Sequence, residues 1–244
     1  MKGIILAGGT GSRLLPLTKV TNKHLLPVGR YPMIYHAIAK LKSVGITDIL
    51  IVTGKDHMGD VVGLLGSGSK FAVSFTYKVQ DEAGGIAQAL GLAERFVGAD
   101  QMVVILGDNV FSHDISGYVN SFRVERQSAK ILLQRVPDPN RYGVALLKGD
   151  VIAEIVEKPT QFISDYAVTG IYMFDSSVFD IIRTLKPSRR GELEITDVNN
   201  HYIENQALKF DILPGWWTDA GTIQSLGVAN ELAKDIILGE EFEG

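Results

Sequence analysis

Cysteine is absent from the 244 residues, and that gap removes disulfides, thiolate metal sites and cysteine nucleophiles together. Long apolar runs are also missing. The run after Lys2 is too short for the core of a signal peptide, and no later run approaches the roughly 18 apolar residues needed to span a bilayer. A cytoplasmic protein with no membrane partner is the expectation. Neither sign of charge dominates: 24 Lys and Arg stand against 28 Asp and Glu, for a formal net charge of −4 scattered along the chain. No basic footprint marks a nucleic-acid or anionic-membrane ligand, and there are no internal repeats or low-complexity segments. With 45% hydrophobic residues, the chain can bury one substantial core, so a single α/β domain is expected.

Positive signals begin in the stretch Lys2 to Val28, KGIILAGGTGSRLLPLTKVTNKHLLPV. Ile4 to Ala7 is apolar without alternation, as in a strand covered on both faces of a parallel sheet. Gly8, Gly9 and Gly11 then allow a sharp turn whose backbone N–H groups can converge on an anion. Two familiar nucleotide loops fail here. A Walker A loop ends Gly-Lys-Ser/Thr, whereas Gly11 precedes Ser12 and Arg13. A dinucleotide fingerprint needs glycine where Leu14 stands and a helix directly after the loop, which Pro16 opposes. What remains is a long loop with two cations, Arg13 and Lys23, on the ligand side of a strand.

Farther along, Met33, Ile34, Ala37, Ile38 and Leu41 recur at helical spacing up to Gly45, and Ile49 to Thr53 reads as the next strand. His57 to Leu65 predicts a short helix, Val73 to Val79 an alternating strand, Gly85 to Phe96 a helix and Met102 to Leu106 a buried strand. This alternation predicts a doubly wound, Rossmann-like, mixed but mainly parallel sheet, with ligands outside the carboxyl ends of its strands. The loops after Ala7, Val79 and Leu106 should therefore converge. From Ala129 the pattern turns strand-rich, with Ile131–Val136, Tyr142–Leu147, Val151–Val156 and Ala167–Phe174, and Lys148-Gly149-Asp150 forms a turn. The expected division is an α/β half over 1–128, a strand-rich lobe over 129–221 and a C-terminal helix from about Thr222 to Leu238 within 222–244.

Each converging loop carries polar chemistry. The Gln80 amide offers a donor and an acceptor, enough to read a pyrimidine edge, and Gly85 permits close backbone approach; the plainer reading is a polar residue closing a strand before a turn. Asp108, at the tip of an apolar strand, is either a turn former or a hard oxygen ligand for Mg²⁺. The pair Glu157-Lys158 at a strand end, and Arg190 within a charge run, are by themselves as consistent with solvated surface as with a site.

The order Gly-Gly-x-Gly-Ser-Arg-Leu-x-Pro-Leu-Thr, followed by Lys23 and Leu25-Leu26-Pro27-Val28, resembles the signature of the sugar-1-phosphate nucleotidyltransferases, with Ser12 where threonine is usual. The likeness runs from Lys2 to about Leu232 and is strongest to members that use dTTP and glucose 1-phosphate; UTP-dependent and other hexose 1-phosphate members share the scaffold. It implies a nucleotide site of Leu6, Gly8, Gly9, Gly11, Ser12, Arg13, Gln80 and Gly85. Asp108 and Asp219 would hold Mg²⁺, and Arg13, Lys23 and Lys158 would carry the catalytic charge. The sugar phosphate would lie among Tyr142, Gly143, Glu157, Lys158, Val168 and Arg190. A homotetramer or dimer is implied too. Longer members continue with helices that form an effector site, and the resemblance carries no such site across.

Overall fold

The computed structural model describes residues 1–125 and 128–243. Ile4, Ile5, Leu6 and Ala7 are all buried in strand β1 (Lys2–Ala7), with Ile5 and Ala7 in the core on one face of the sheet and Ile4 and Leu6 in the core on the other. Burial on both faces is why this strand shows no alternation. After a loop of three 3₁₀ turns come the two-residue strands β2 (Pro27–Val28) and β3 (Tyr31–Pro32), then α1 (Met33–Ser43). That helix ends where Gly45 N–H bonds Lys42 C=O and Ile46 N–H bonds Leu41 C=O, the paired bonds of a Schellman closure. Strand β4 (Asp48–Gly54), α2 (Met58–Leu65), β5 (Ser74–Gln80), α3 (Ile86–Gly91), α4 (Glu94–Val97) and β6 (Met102–Leu106) complete the first half.

The second half holds β7 (Asn109–Phe111), α5 (Ser116–Val124), β8 (Ala129–Arg135), β9 (Gly143–Lys148), β10 (Val151–Glu157) and β11 (Tyr166–Phe174). It closes with α6 (Val178–Thr184), α7 (Ile195–Glu204), β12 (Leu208–Ile212), β13 (Trp217–Asp219) and α8 (Ile223–Ala233). The main sheet runs β10-β9-β11-β6-β1-β4-β5, with β8 beside β11 and β12 beside β8. Pairs among β6, β1, β4 and β5 are parallel, and those joining β11 to β6, β8 and β9 are antiparallel. Strand order reverses between β1 and β6, so the crevice for a ligand opens where both strands end, after Ala7 and Leu106.

Two expected helices come out shorter. The helix foreseen from Gly85 to Phe96 is split into α3 and α4, at the point where Gly91 packs closely on Ile182 of α6. The C-terminal helix starts as expected, with Thr222 and Ser225 forming a reciprocal cap, but ends at Ala233 instead of near Leu238. Beyond it Leu238 packs on the main core, and Phe242 is buried 5.5 Å from the Tyr35 ring and 5.2 Å from the Phe71 ring. Burying that aromatic ring outweighs continuing a helix whose outer face is wet. Among the described residues no helix is long and apolar enough to cross a membrane.

One stability gain is expected at α2. Gly63 lies on its exposed face, and a Cβ added there meets nothing within 4 Å. Gly63→Ala should stabilise by about 0.5–1 kcal/mol, because alanine loses less backbone entropy in a helix. Thermal melts should show a rise of about 1–4 °C for a chain of this size; an unchanged or lowered midpoint would contradict the helical assignment there.

Candidate functional site

The crevice between β1 and β6 continues across the sheet into a cavity of about 610 Å³. Leu6, Gly8, Gly9, Arg13, Lys23, Gln80, Gly85 and Asp108 line its first end. Tyr142, Gly143, Glu157, Lys158, Val168, Arg190 and Asp219 line the other. Gly11 and Ser12 do not reach the wall: Gly11 accepts a hydrogen bond from Thr18 Oγ1 through its carbonyl at 2.8 Å and lies against that side chain, while Ser12 starts the first 3₁₀ turn on the surface.

Two carboxylates meet at the centre although 110 residues of sequence divide them. The short strands β7 and β13 pair antiparallel with Asn109 opposite Asp219, and the Ala220 N–H bonds the Asp108 C=O at 2.8 Å. Around the place that a Cβ on Gly221 would fill stand Arg13 Nη2 at 3.2 Å, Asp219 Oδ2 at 3.3 Å and Asp108 Oδ2 at 3.6 Å. Only the missing side chain of Gly221 leaves that point open. Asp108 Oδ2 also accepts from Lys23 Nζ at 2.5 Å, and its Oδ1 from Asn109 Nδ2 at 3.0 Å. Asp219 Oδ1 accepts from Tyr142 Oη at 3.0 Å and Arg141 Nη2 at 3.3 Å.

These partners set the two carboxylates apart electrostatically. Burial, the largest single influence, pushes the Asp108 carboxyl up, but the adjacent Lys23 ammonium and the hydrogen bonds from Lys23 and Asn109 together outweigh it and hold the group well below the usual range. Asp219 is raised, first by burial and then by the charge of Asp108. Two ionised carboxylates facing one point repel, and a hard dication between them would relieve that repulsion. Among the described residues no cluster of three or more His, Cys, Asp and Glu forms a closed metal cage. The donor set instead suits Mg²⁺, which binds one or two carboxylates and fills its octahedron from phosphates and water.

Several residues in the wall or directly behind it carry no signal in the sequence. Asn109 is buried and fastens the centre: its Oδ1 accepts from Gly170 N–H at 2.9 Å and from Trp217 Nε1 at 2.7 Å. His24 packs under Gly107, bonded through Nδ1 to Asn22 Oδ1 at 2.7 Å; burial, reinforced by Lys23, pushes its pKa down to about 3, so it is neutral. Arg141 is visible only through its contact with Asp219. At the far end Thr196 Oγ1 donates to Glu157 Oε2 at 2.7 Å, while Glu157 Oε1 faces Lys158 Nζ at 3.5 Å and Arg190 Nη1 at 3.4 Å. Lys158 sits at φ 43°, unusual for a residue with a side chain, and its N–H is held by Tyr142 C=O at 2.9 Å. The cavity thus has a cationic and carboxylate centre with a mixed-charge pocket on one side and an uncharged amide, Gln80, on the other.

Comparison with known proteins gives the chain's family. The family described as nucleotidyl transferase matches residues 2–235. A glucose-1-phosphate thymidylyltransferase of Neisseria meningitidis is 40% identical over 97% of this chain and 83% of its own length. A low-salt glycan biosynthesis nucleotidyltransferase of Haloferax volcanii is also 40% identical, over 95% of this chain, which spans 66% of that relative. Among solved structures, a Bacillus anthracis protein provisionally assigned as a glucose-1-phosphate thymidylyltransferase, in complex with sucrose, superposes with a TM-score of 0.97. It is 66% identical, and the alignment covers 100% of this chain and 99% of that one.

Proposed function

Since the chain belongs to the nucleotidyl transferase family, we propose that it joins the nucleotidyl group of dTTP to glucose 1-phosphate, forming dTDP-glucose and pyrophosphate. The observation that carries this reading is one cavity in which Arg13, Lys23 and the Asp108–Asp219 pair stand between Gln80 and the Glu157–Lys158–Arg190 pocket. Two polyanionic substrates need such cations, together with carboxylates able to hold a dication, between a base end and a sugar end.

An oxygen of the sugar phosphate attacks the α-phosphorus in line, the new P–O bond forms, and the α–β bridge breaks to expel pyrophosphate. The nucleophile is already an anion, so the protein's work is positioning and charge neutralisation. Gly8 and Gly9 bring backbone N–H groups to the triphosphate, and Arg13, exposed at the mouth, stabilises the departing pyrophosphate. Lys158 holds the sugar phosphate against its target. Glu157, oriented by Thr196 and flanked by two cations, accepts hydrogen bonds from the sugar hydroxyls. Lys23 keeps Asp108 ionised, and Tyr142 and Arg141 hold Asp219 by one oxygen so that the other faces the shared point. Asp108 and Asp219 would hold Mg²⁺, which would supply Lewis-acid stabilisation of the α-phosphate and a template for its approach.

Pyrophosphate release tests the proposal. With Mg²⁺ and glucose 1-phosphate, dTTP should be the best of dTTP, UTP, CTP, ATP and GTP, and glucose 1-phosphate the best sugar. Preference for UTP or another hexose 1-phosphate would keep the chemistry and change the substrate. Failure of every pair with folded protein would overturn the reading in favour of a noncatalytic member of the same fold.

A further inference from the structure

Gln80 closes β5 with its side chain buried, and its amide is committed in an unusual way. The nitrogen, Nε2, donates to Gly85 C=O at 3.3 Å and to Gln88 Oε1 at 2.7 Å. A backbone carbonyl can only accept, so the nitrogen belongs on the Gly85 side, and Gln88 takes the second of its two hydrogens. The amide oxygen is turned the opposite way: Oε1 lies 2.4 Å from where a Cβ on Gly8 would stand, beside the loop that opens the cavity. Both donors are consumed inside the protein, and only an acceptor is offered outward.

We infer that Gln88 is a positioning residue that makes Gln80 a pure hydrogen-bond acceptor, so that the site selects a base carrying a ring N–H donor, the imide of thymine or uracil, over cytosine. The inference rests on the nucleotide reading above and specifies how its base is chosen. Cytosine presents a ring nitrogen acceptor at the same edge position, which would face the Gln80 oxygen with no hydrogen between them. A polar site facing an unpaired group discriminates far more strongly than a pocket of fixed shape. The loop geometry supports the role of Gln88 independently. A Cβ on Gly84 would come within 2.5 Å of the Gln88 amide, so the turn before α3 is fitted around that side chain. Thymine and uracil share the imide, and this device does not separate them.

The test uses dUTP and dCTP, which differ only at the pyrimidine edge, with binding measured by calorimetry in the absence of sugar phosphate. The unmodified protein should prefer dUTP by about a hundredfold. Gln88→Leu removes the shorter of the two bonds that hold Nε2, leaving only the Gly85 carbonyl at 3.3 Å, so the amide can turn more easily. It should narrow the preference by about tenfold, mainly through tighter dCTP binding, while dTTP affinity stays within a few-fold. Gln88→Glu retains the acceptor and should restore the preference. Gly84→Ala, which displaces the Gln88 amide, should mimic the leucine variant. An unchanged dUTP-to-dCTP ratio in Gln88→Leu, with dTTP still bound, overturns this inference and leaves the proposed function standing. Equal binding of dUTP and dCTP by the unmodified protein overturns it too. Binding of no nucleotide at all would remove the functional reading and the inference together.

Discussion

Asp108→Asn is expected to lower turnover by about a hundred- to a thousandfold in saturating Mg²⁺ and to leave the fold intact, on the scale set by losing one preorganised charge at a reacting phosphate. The amide fills the same space as the carboxylate. It keeps an oxygen that can face Lys23 but removes the negative charge that, with Asp219, would attract a dication to the point beside Gly221. The Lys23 ammonium is left without an ionised partner, yet it lines the cavity and can find water or phosphate. The structural loss should therefore fall below the 3–5 kcal/mol of a fully buried broken pair and lie nearer 1–2 kcal/mol.

The sign of the acid dependence follows from Lys23. The folded Asp108 carboxyl titrates below its unfolded value, so its stabilisation is fully present above the unfolded pKa of about 3.9 and is lost as pH falls through the folded one. Melting curves of the unmodified and Asp108→Asn proteins should differ by a few degrees at pH 7, and the difference should begin to shrink only as pH falls below about 4. A fully active Asp108→Asn enzyme would refute the metal assignment, whatever the melts show.

Much of the frame is legible in the order of residue types because it depends on local rules. The unbroken apolar run Ile4–Ala7 is buried on both faces, Gly45 does close α1, and the turn at Lys148-Gly149-Asp150 does join β9 to β10. The loop after Gly11 forms short 3₁₀ turns in place of a helix, as Pro16 requires. What stays hidden is whatever needs a partner distant in the chain. Strands β7 and β13 have three residues each, too few to show a period, yet their pairing alone sets Asp108 beside Asp219. Asn109, Arg141, Thr196 and Gln88 look like ordinary surface polar residues until the sheet brings their partners to them. The positive φ of Lys158 belongs to a residue type that gives no warning of it. Gly11 shows the opposite limit, since a glycine in a motif can serve packing on Thr18 as readily as an approach to ligand.

Gly85→Ala should have the largest effect on fold and function together, because Gly85 is where the Gln80 end of the cavity is fastened to the Glu157 end. The Leu193 N–H bonds Gly84 C=O at 2.8 Å, and the Ala87 N–H bonds Leu193 C=O at 3.1 Å, so the turn before α3 is laced to the segment leading into α7. That segment includes Glu192, Ile195 and Thr196 of the cavity wall. Gly85 itself has φ 101°, where a side chain is strained, and an added Cβ would stand 2.4 Å from the Leu193 oxygen and 2.8 Å from its nitrogen. Those atoms are backbone and cannot swing aside. Strain of about 1–3 kcal/mol and the clash add up to a loss of at least about 3 kcal/mol, or about 6–12 °C in melting temperature for a chain this long. To escape the contact, the Gln80–Gly85 loop and the Leu193 segment must separate. The KM values for nucleotide and for sugar phosphate should therefore rise together, by about tenfold or more, although alanine touches neither phosphate. Gly63→Ala, which meets open space, serves as the control that separates a general intolerance of alanine from this contact. A Gly85→Ala protein that melts normally but binds nucleotide poorly would mean that Gly85 serves only the base. One that melts early with both KM values unchanged would mean that the lacing supports the fold without coupling the two ends.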